Sequence, residues 1–319
     1  MFALNSRRTY KSKFERKSKI MPEEIFSLYK RNFPFIIKDD DEVRYILSHK
    51  NNVIFEKRNE NGNLIGALVL NKSTIMMLCV DKEYRRKGYG TELLKQAEEA
   101  AFAAGYDEIN AGVGFNYLMP GVPTCNHYYP SVNEALSEGA ENCASEFFTK
   151  HGYYHDNDAD IFDMCFELKD FCHEENSAGD TIDGVTYRWA QKSDLEKICT
   201  CMNDALEEFS GYYRNEHLYA GAPDSRVILA ETNGEVAGAL MVDYSEKSGI
   251  GTIGCMGVKH SYRGRRIATR LTVLATKYLR DQGMRKAFLG YTYSGLDRMY
   301  GVAGYKICVY YMMAKKELK

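Results

Sequence analysis

The stretch Val80-Asp81-Lys82-Glu83-Tyr84-Arg85-Arg86-Lys87-Gly88-Tyr89-Gly90-Thr91 decides how this chain is read. An apolar run, 75–80, leads into it, and a segment of helical periodicity, 91–104, follows. The pattern predicts strand, basic turn and helix N-terminus in that order. Such a turn suits an anion, because free backbone N–H groups and the helix dipole point at one spot. Gly88 and Gly90 let the backbone approach a ligand closely. Arg85, Arg86 and Lys87 add positive charge, so the expected guest is a phosphate or pyrophosphate. Taken alone, the turn also reads as a solvated helix cap.

The same grammar returns later. An apolar run, 253–258, leads to Lys259-His260-Ser261-Tyr262-Arg263-Gly264-Arg265-Arg266-Ile267-Ala268, and a helical segment follows. Val80 to Val258, Arg85 to Arg263 and Gly105 to Gly283 are each 178 residues apart. Gly105 and Gly283 are expected helix C-caps. The hairpin signals Asn61-Gly62 and Asn233-Gly234 are 172 apart, so the second copy carries six more residues before its turn. Ala144–Tyr153 aligns with 296–305 up to Tyr305 in the second copy, with Phe148 opposite Tyr300 at an offset of 152. The first copy therefore carries 178 − 152 = 26 extra residues, about 115–140, read as a long loop over a cleft. The chain is an internal duplication.

Arg85-x-x-Gly88-x-Gly90 is neither the Walker pattern nor the dinucleotide fingerprint. It resembles the pyrophosphate loop of the GNAT superfamily of acetyl-CoA-dependent N-acetyltransferases. The small-residue helix ending in aromatic and Gly-Tyr pairs, present in both copies, strengthens the resemblance. Its length and tandem layout resemble mycothiol-synthase-like proteins, although no residue selects that substrate. The implied fold is mixed α/β: two tandem GNAT-like domains, each a mostly antiparallel sheet flanked by helices. The expected domains are 1–172 and 184–319, joined by a linker at 173–183.

The resemblance also assigns roles. Backbone amides of the turn would hold the pyrophosphate of acetyl-CoA, using Arg85, Arg86, Lys87, Gly88, Tyr89, Gly90 and Thr91. Leu78, Cys79 and Val80 would line the pantetheine. The second copy offers Val258, Arg263, Gly264, Arg265, Arg266, Ile267 and Ala268. Arg266 stands where the family has its central Gly, which puts cofactor binding there in question. A Tyr near the end of the family pattern protonates the leaving thiolate. Tyr300 fills that place, whereas Phe148 cannot donate a proton. The first copy would then bind cofactor without catalysing, or use Tyr128, Tyr129, Tyr153 or Tyr154 instead. The aromatic stretch from Tyr212 to Tyr219 would line an amine pocket or simply pack. No residue stands out as general base, and His260 reads as a surface residue.

Composition narrows the rest. The 319 residues carry a formal net charge of −2, which favours neither nucleic acid nor a membrane as partner. No apolar run approaches the roughly 20 residues of a spanning helix. The basic segment 1–20 lacks the apolar core of a secretory signal and reads as a solvated arm or a docking arm for an acidic partner. Nine scattered cysteines, with a single Cys199-x-Cys201, argue against a disulfide framework and a structural zinc site, so no metal is expected. Reduced thiols suit a cytoplasmic protein. The implied activity is acetyl transfer to a primary amine of a small molecule or peptide. Transfer of a longer acyl group, or an acyl-CoA sensor without turnover, remain open.

Overall fold

The computed structural model describes residues 22–113, 117–124, 144–173, 178–219 and 226–319. The basic segment 1–20 and most of 115–140, with Tyr128 and Tyr129, lie outside the described residues. In chain order the elements are α1 (Pro22–Asn32), α2 (Asp40–Leu47), β1 (Asn52–Arg58), β2 (Leu64–Asn71), β3 (Thr74–Val80), α3 (Tyr89–Ala103), β4 (Glu108–Ala111), β5 (Val122–Thr124), α4 (Ala144–Lys150) and β6 (Tyr154–His155). They continue with β7 (Ile161–Glu167), β8 (Thr181–Ile182), β9 (Val185–Trp189), α5 (Leu195–Ala205), α6 (Ser210–Tyr213), β10 (Val227–Thr232), β11 (Glu235–Ser245) and β12 (Ile250–Val258). The last are α7 (Ile267–Asp281), β13 (Lys286–Tyr293), α8 (Asp297–Val302), β14 (Lys306–Met312) and β15 (Ala314–Glu317).

Local chemistry explains the early elements. Asp39 caps α2, its carboxylate accepting from the amides of Asp41 and Glu42 at 2.9 and 3.3 Å. The acidic run Asp39–Glu42 is thus a helix start. Asn233 and Gly234 both take left-handed backbone, at φ 53° and 76°, which closes the β10–β11 hairpin. Gly105 and Gly283, at φ 88° and 77°, end α3 and α7 as their place after each helix predicts.

Among the described residues the first compact unit holds 22–124, 144–158 and 311–319. Its sheet runs β1-β2-β3-β4-β15-β6. Every residue of β2 is buried, as befits a strand covered on both faces. Leu93, Leu94, Ala97 and Ala101 of α3 pack on the sheet with Leu68, Leu70 and Ile109. The second unit holds 159–310, and its strands run β14-β7-β13-β12-β11-β10-β9-β8. One of its cores joins Leu271, Leu274 and Leu279 of α7 to Ile228, Leu240 and Ile253. Another joins Ile198 and Met202 of α5 to Val227, Leu229 and Ala239.

Sequence order and sheet order part company at two strands. β7, which follows the first repeat's small helix, pairs antiparallel with β13, with Leu289 opposite Met164. β15, at the end of the second repeat, pairs antiparallel with β4, with Ala314 opposite Ala111, and also with β6. Each repeat thus gives up the strand that completes the other's sheet. β8 pairs with β9, so Thr181 and Ile182, within the stretch read as linker, belong to a sheet.

The exchange makes a prediction. A chain divided between Cys172 and Gly179 leaves residues 1–172 without β15 and residues 179–319 without β7. Each half alone is expected to lack a cooperative thermal transition. Co-expression should restore a soluble complex. Two halves that each melt cooperatively, followed by circular dichroism, would contradict the exchange.

Candidate active site

Each unit contains a parallel strand pair that opens. β3 and β4 pair only at Thr74–Asn110 and Ile75–Ala111. β12 and β13 pair at Ile250–Lys286, Gly251–Ala287 and Thr252–Phe288. Beyond those residues the strands diverge, and their freed edge groups line a slot. Register shifts in β2–β3, between Val69 and Leu70, and in β11–β12, between Ala239 and Met241, help bend the splayed strand.

The first basic turn lies at the mouth of its slot. A 3-10 turn, Lys82–Tyr84, leads to Arg86 at φ 62° and Gly88 at φ 84°, where α3 begins. The amides of Tyr89, Gly90 and Thr91 belong to the first helical turn and have no intrahelical acceptor. Arg86, Lys87 and Gly88 are exposed around them. Arg85 does something else: its guanidinium donates to the Val80 carbonyl at 2.8 Å and to Asn32 Oδ1 at 3.1 Å. Asn32 and Arg31 in turn donate to Asp81 at 2.8 Å. Arg85 therefore ties the turn to the end of α1, while Arg86 and Lys87 are the exposed charges of the turn. Cys79 is buried, and burial pushes its thiol up to about 12, so it packs as an inert group.

Sequence reasoning missed His151. Its Nδ1–H donates to the Phe147 carbonyl at 2.8 Å, and its Nε2 makes a hydrogen bond with the Thr91 hydroxyl at 3.0 Å. Phe147 lies tilted against the ring, 4.3 Å between centroids, and closes on Gly90. Only the fold brings a residue 60 positions away onto the first turn of α3.

The second turn repeats this geometry with two residues exchanged. Gly264 sits at φ 81° and Arg266 at φ 59°, so the Gly and the Arg have traded places relative to Arg86 and Gly88. Arg266 adopts the left-handed backbone that Gly88 adopts, and α7 starts from it. A Cβ on Gly88 would meet nothing within 4 Å, so the protein itself has room for a side chain there. Arg263 donates to the carbonyls of Val258 and Ala205, both at 3.3 Å, as Arg85 does in the first unit. Arg265 and Arg266 remain exposed, with Arg265 over the Tyr262 ring. Ile267 is buried and Ala268 half-buried in the first turn of α7. His260 is at the surface, held by Asp204 through its amide at 2.6 Å and its ring at 3.2 Å.

The slots differ in their lining. In the first unit Phe148 is 4% exposed and closes an apolar cavity of about 40 Å³ with Phe33, Met76, Leu78 and Met119. Tyr153 is buried, which drives its phenol far above the usual range, and Tyr154 is exposed. In the second unit Tyr300 is 5% exposed, and burial, with Tyr293 and Cys255 close by, drives its phenol well above 10. No partner bonds its hydroxyl among the described residues. Cys255 carries the bulge of β12 at φ 47°, and its carbonyl accepts from the buried Tyr213 hydroxyl at 2.7 Å. Tyr219 donates to the Tyr213 carbonyl at 2.8 Å. The Tyr212–Tyr219 stretch thus divides, Tyr213 and Tyr219 holding the splayed strand while Tyr212 faces water. Among the described residues no cluster of His, Cys, Asp and Glu could hold a metal, and no helix is long and apolar enough to cross a membrane.

Split parallel strands, a basic left-handed turn and a helix N-terminus, present twice, define an acyltransferase fold. Residues 22–117 and 187–302 each match the acetyltransferase (GNAT) family, and the chain belongs to it. A GCN5-related N-acetyltransferase from Sphaerobacter thermophilus is 18% identical with a TM-score of 0.67, over 94% of each chain. A tandem GNAT protein from the clavulanic acid biosynthesis pathway is 15% identical with the same score, over 93% of this chain and 95% of that one. The glucosamine N-acetyltransferase region of a fungal multi-domain β-N-acetylglucosaminidase is 20% identical with a TM-score of 0.66. That match covers 92% of this chain, which spans only 36% of the fungal protein. At these identities the likeness is one of fold. No curated protein sequence matches the chain.

Two variants test the turns. Left-handed backbone costs an L-residue about 1–2 kcal/mol. Arg266→Gly is therefore expected to raise stability and Gly88→Ala to lower it, each by about 1 kcal/mol, in urea denaturation. Opposite signs would refute the shared geometry. Tyr213→Phe should cost about 1–3 kcal/mol by leaving the Cys255 carbonyl unpaired. An unchanged urea midpoint would show that this bond does not hold the bulge.

Proposed function

We propose that the protein moves an acetyl group from acetyl-CoA to a primary amine of a small molecule or a peptide, and that the second unit performs the reaction. The observation that carries this reading is Tyr300, buried beside the β12 bulge with its hydroxyl uncommitted. The co-substrate supplies a thioester. The amides of the basic turns, with Arg86 and Lys87 or Arg265 and Arg266, suit its pyrophosphate. The amine nitrogen attacks the thioester carbonyl, the carbon–sulfur bond breaks, and the nitrogen sheds its proton to water. Tyr300 gives its proton to the departing sulfur and recovers one from solvent. A phenol raised above 10 stays protonated near neutral pH, so it holds the proton that this role requires.

Phe148 offers no such proton, and the apolar cavity around it favours a second role for the first unit. We propose that this unit holds acyl-CoA at Gly88–Thr91 without turnover. The free thiols, several of them buried, fit a reducing cytoplasm.

The test pairs two variants. Tyr300→Phe is expected to lower turnover about 10²- to 10⁴-fold at saturating acetyl-CoA while sparing cofactor binding. Gly88→Asp sets a carboxylate against the pyrophosphate and should abolish one binding event in calorimetry while turnover persists. If turnover vanishes with Gly88→Asp and survives Tyr300→Phe, the first unit is the catalyst.

A further inference from the structure

Two cysteines that acetyl transfer leaves unused meet on one face of the second unit. β7 lies between β13 and β14, and it carries Cys165 while β14 carries Cys308. Leu289 pairs with Met164, and both are buried in the core around α7. Phe288 pairs with Cys165, and both are half-buried on the opposite face. Lys286 lies two residues along on that face, bonded to Glu167 at 2.7 Å. The Cys308 sulfur sits 3.4 Å from the Asp163 carbonyl, two residues before Cys165 in β7. It also shares a side-chain hydrogen bond with Cys165. Cys308 has one proton, which serves either the carbonyl or the neighbouring sulfur. Both residues are free thiols. Adjacent strands run about 4.8 Å apart, within the roughly 4.4–6.8 Å between Cα atoms that a disulfide spans.

The surroundings make Cys165 the reactive member. The hydrogen bond from Cys308 lowers its thiol below the ordinary range, and Lys286 adds to this against partial burial, Glu167 and Asp163. The same contact, with burial, pushes the Cys308 thiol up. A half-buried thiolate beside a cation is a nucleophile, and a thiol in contact with it can resolve the oxidised product. The other described cysteines lack this arrangement. Burial raises the thiols of Cys79, Cys199, Cys201 and Cys255, and Cys172 is exposed.

We infer that Cys165 and Cys308 are a modification site, at which a peroxide closes a reversible disulfide across β7 and β14. The Cys165 thiolate attacks one peroxide oxygen, the oxygen–oxygen bond breaks, and the departing hydroxide takes up a proton to become water. Sulfur loses two electrons in becoming a sulfenic acid, and the peroxide gains them. The Cys308 sulfur then attacks the Cys165 sulfur. The sulfur–sulfur bond forms, the sulfur–oxygen bond breaks, and hydroxide leaves with the Cys308 proton as a second water. A dithiol reductant restores both thiols. β7 follows the first repeat's small helix and β14 the second's, so the bond joins the two repeats through residues 143 positions apart. Closing so long a loop restricts the unfolded chain and locks the exchanged strand in its sheet. The site stands whether or not the protein acetylates an amine.

The experiment treats the full chain with hydrogen peroxide at neutral pH, blocks the remaining thiols with iodoacetamide, and maps the unreduced peptides by mass spectrometry. The expected product is a peptide pair joined through Cys165 and Cys308, lighter by two hydrogens and lost on adding dithiothreitol. Cys308→Ser should stop the reaction at a Cys165 sulfenic acid, which dimedone captures. Cys165→Ser should leave Cys308 open to alkylation. The oxidised chain should melt several degrees higher before dithiothreitol than after it, and Cys308→Ser should show no such difference. Three results overturn the inference: Cys165 and Cys308 both alkylated after peroxide, disulfides confined to other cysteines such as Cys172, or sulfinic acid at Cys165 with Cys308 untouched in the unaltered chain. A disulfide that leaves the melting midpoint unchanged refutes the lock on the exchanged strand.

Discussion

A parallel strand pair that stops pairing after two or three residues is the constraint on which each unit depends. Backbone groups freed by the separation must find other partners, since an unpaired buried carbonyl or amide is costly. In the second unit the Tyr213 hydroxyl takes the Cys255 carbonyl at the bulge of β12. The slot stays open where an edge group finds a partner from outside, as the Cys255 carbonyl does. The basic turn at its mouth is held in the same way. Arg85 and Arg263 fold back onto the strand carbonyls five residues before them, which leaves the helical amides as the exposed donors.

The two repeats have diverged by exchange. The left-handed positions are Arg86 and Gly88 in one turn, Gly264 and Arg266 in the other. One strained residue per turn is retained, and one glycine relieves the second position. The aromatic residue on the small helix is Phe148 in one unit and Tyr300 in the other. Loss of a single oxygen from a buried ring disturbs packing little, so the helix keeps its place. It removes the hydroxyl proton that the proposed chemistry would give to a departing sulfur. A duplicated fold can divide binding from chemistry at that small structural cost.

The exchanged strands bear on how such a chain holds together. β15 lies between β4 and β6, and β7 between β13 and β14, so neither sheet is complete within one repeat. An open gap in mid-sheet would expose two edges of unpaired amides and carbonyls. Filling each gap with the other repeat's strand makes both sheets depend on the whole chain.

Much of this was legible in the sequence because it is local. The basic turns, the Gly105 and Gly283 caps, the Asn-Gly hairpins and the 178-residue repeat all follow from backbone preferences of neighbouring residues. The offset set Phe148 opposite Tyr300, and the family resemblance gave that position its meaning. What the sequence could not determine is non-local. Arg85 looked like a phosphate ligand until the fold brought Asn32 and the Val80 carbonyl to it. Arg266 looked like an obstacle, but its backbone bends as a glycine's does and its side chain is exposed. His151 and Tyr213 carry no spacing signal, because their partners are 60 and 42 residues away. The strand exchange was equally hidden, since alternation in a β-strand records which faces are buried and never which neighbour pairs with it. Local geometry is written in the order of residues; pairing and proximity are decided only when distant segments compete for the same edge.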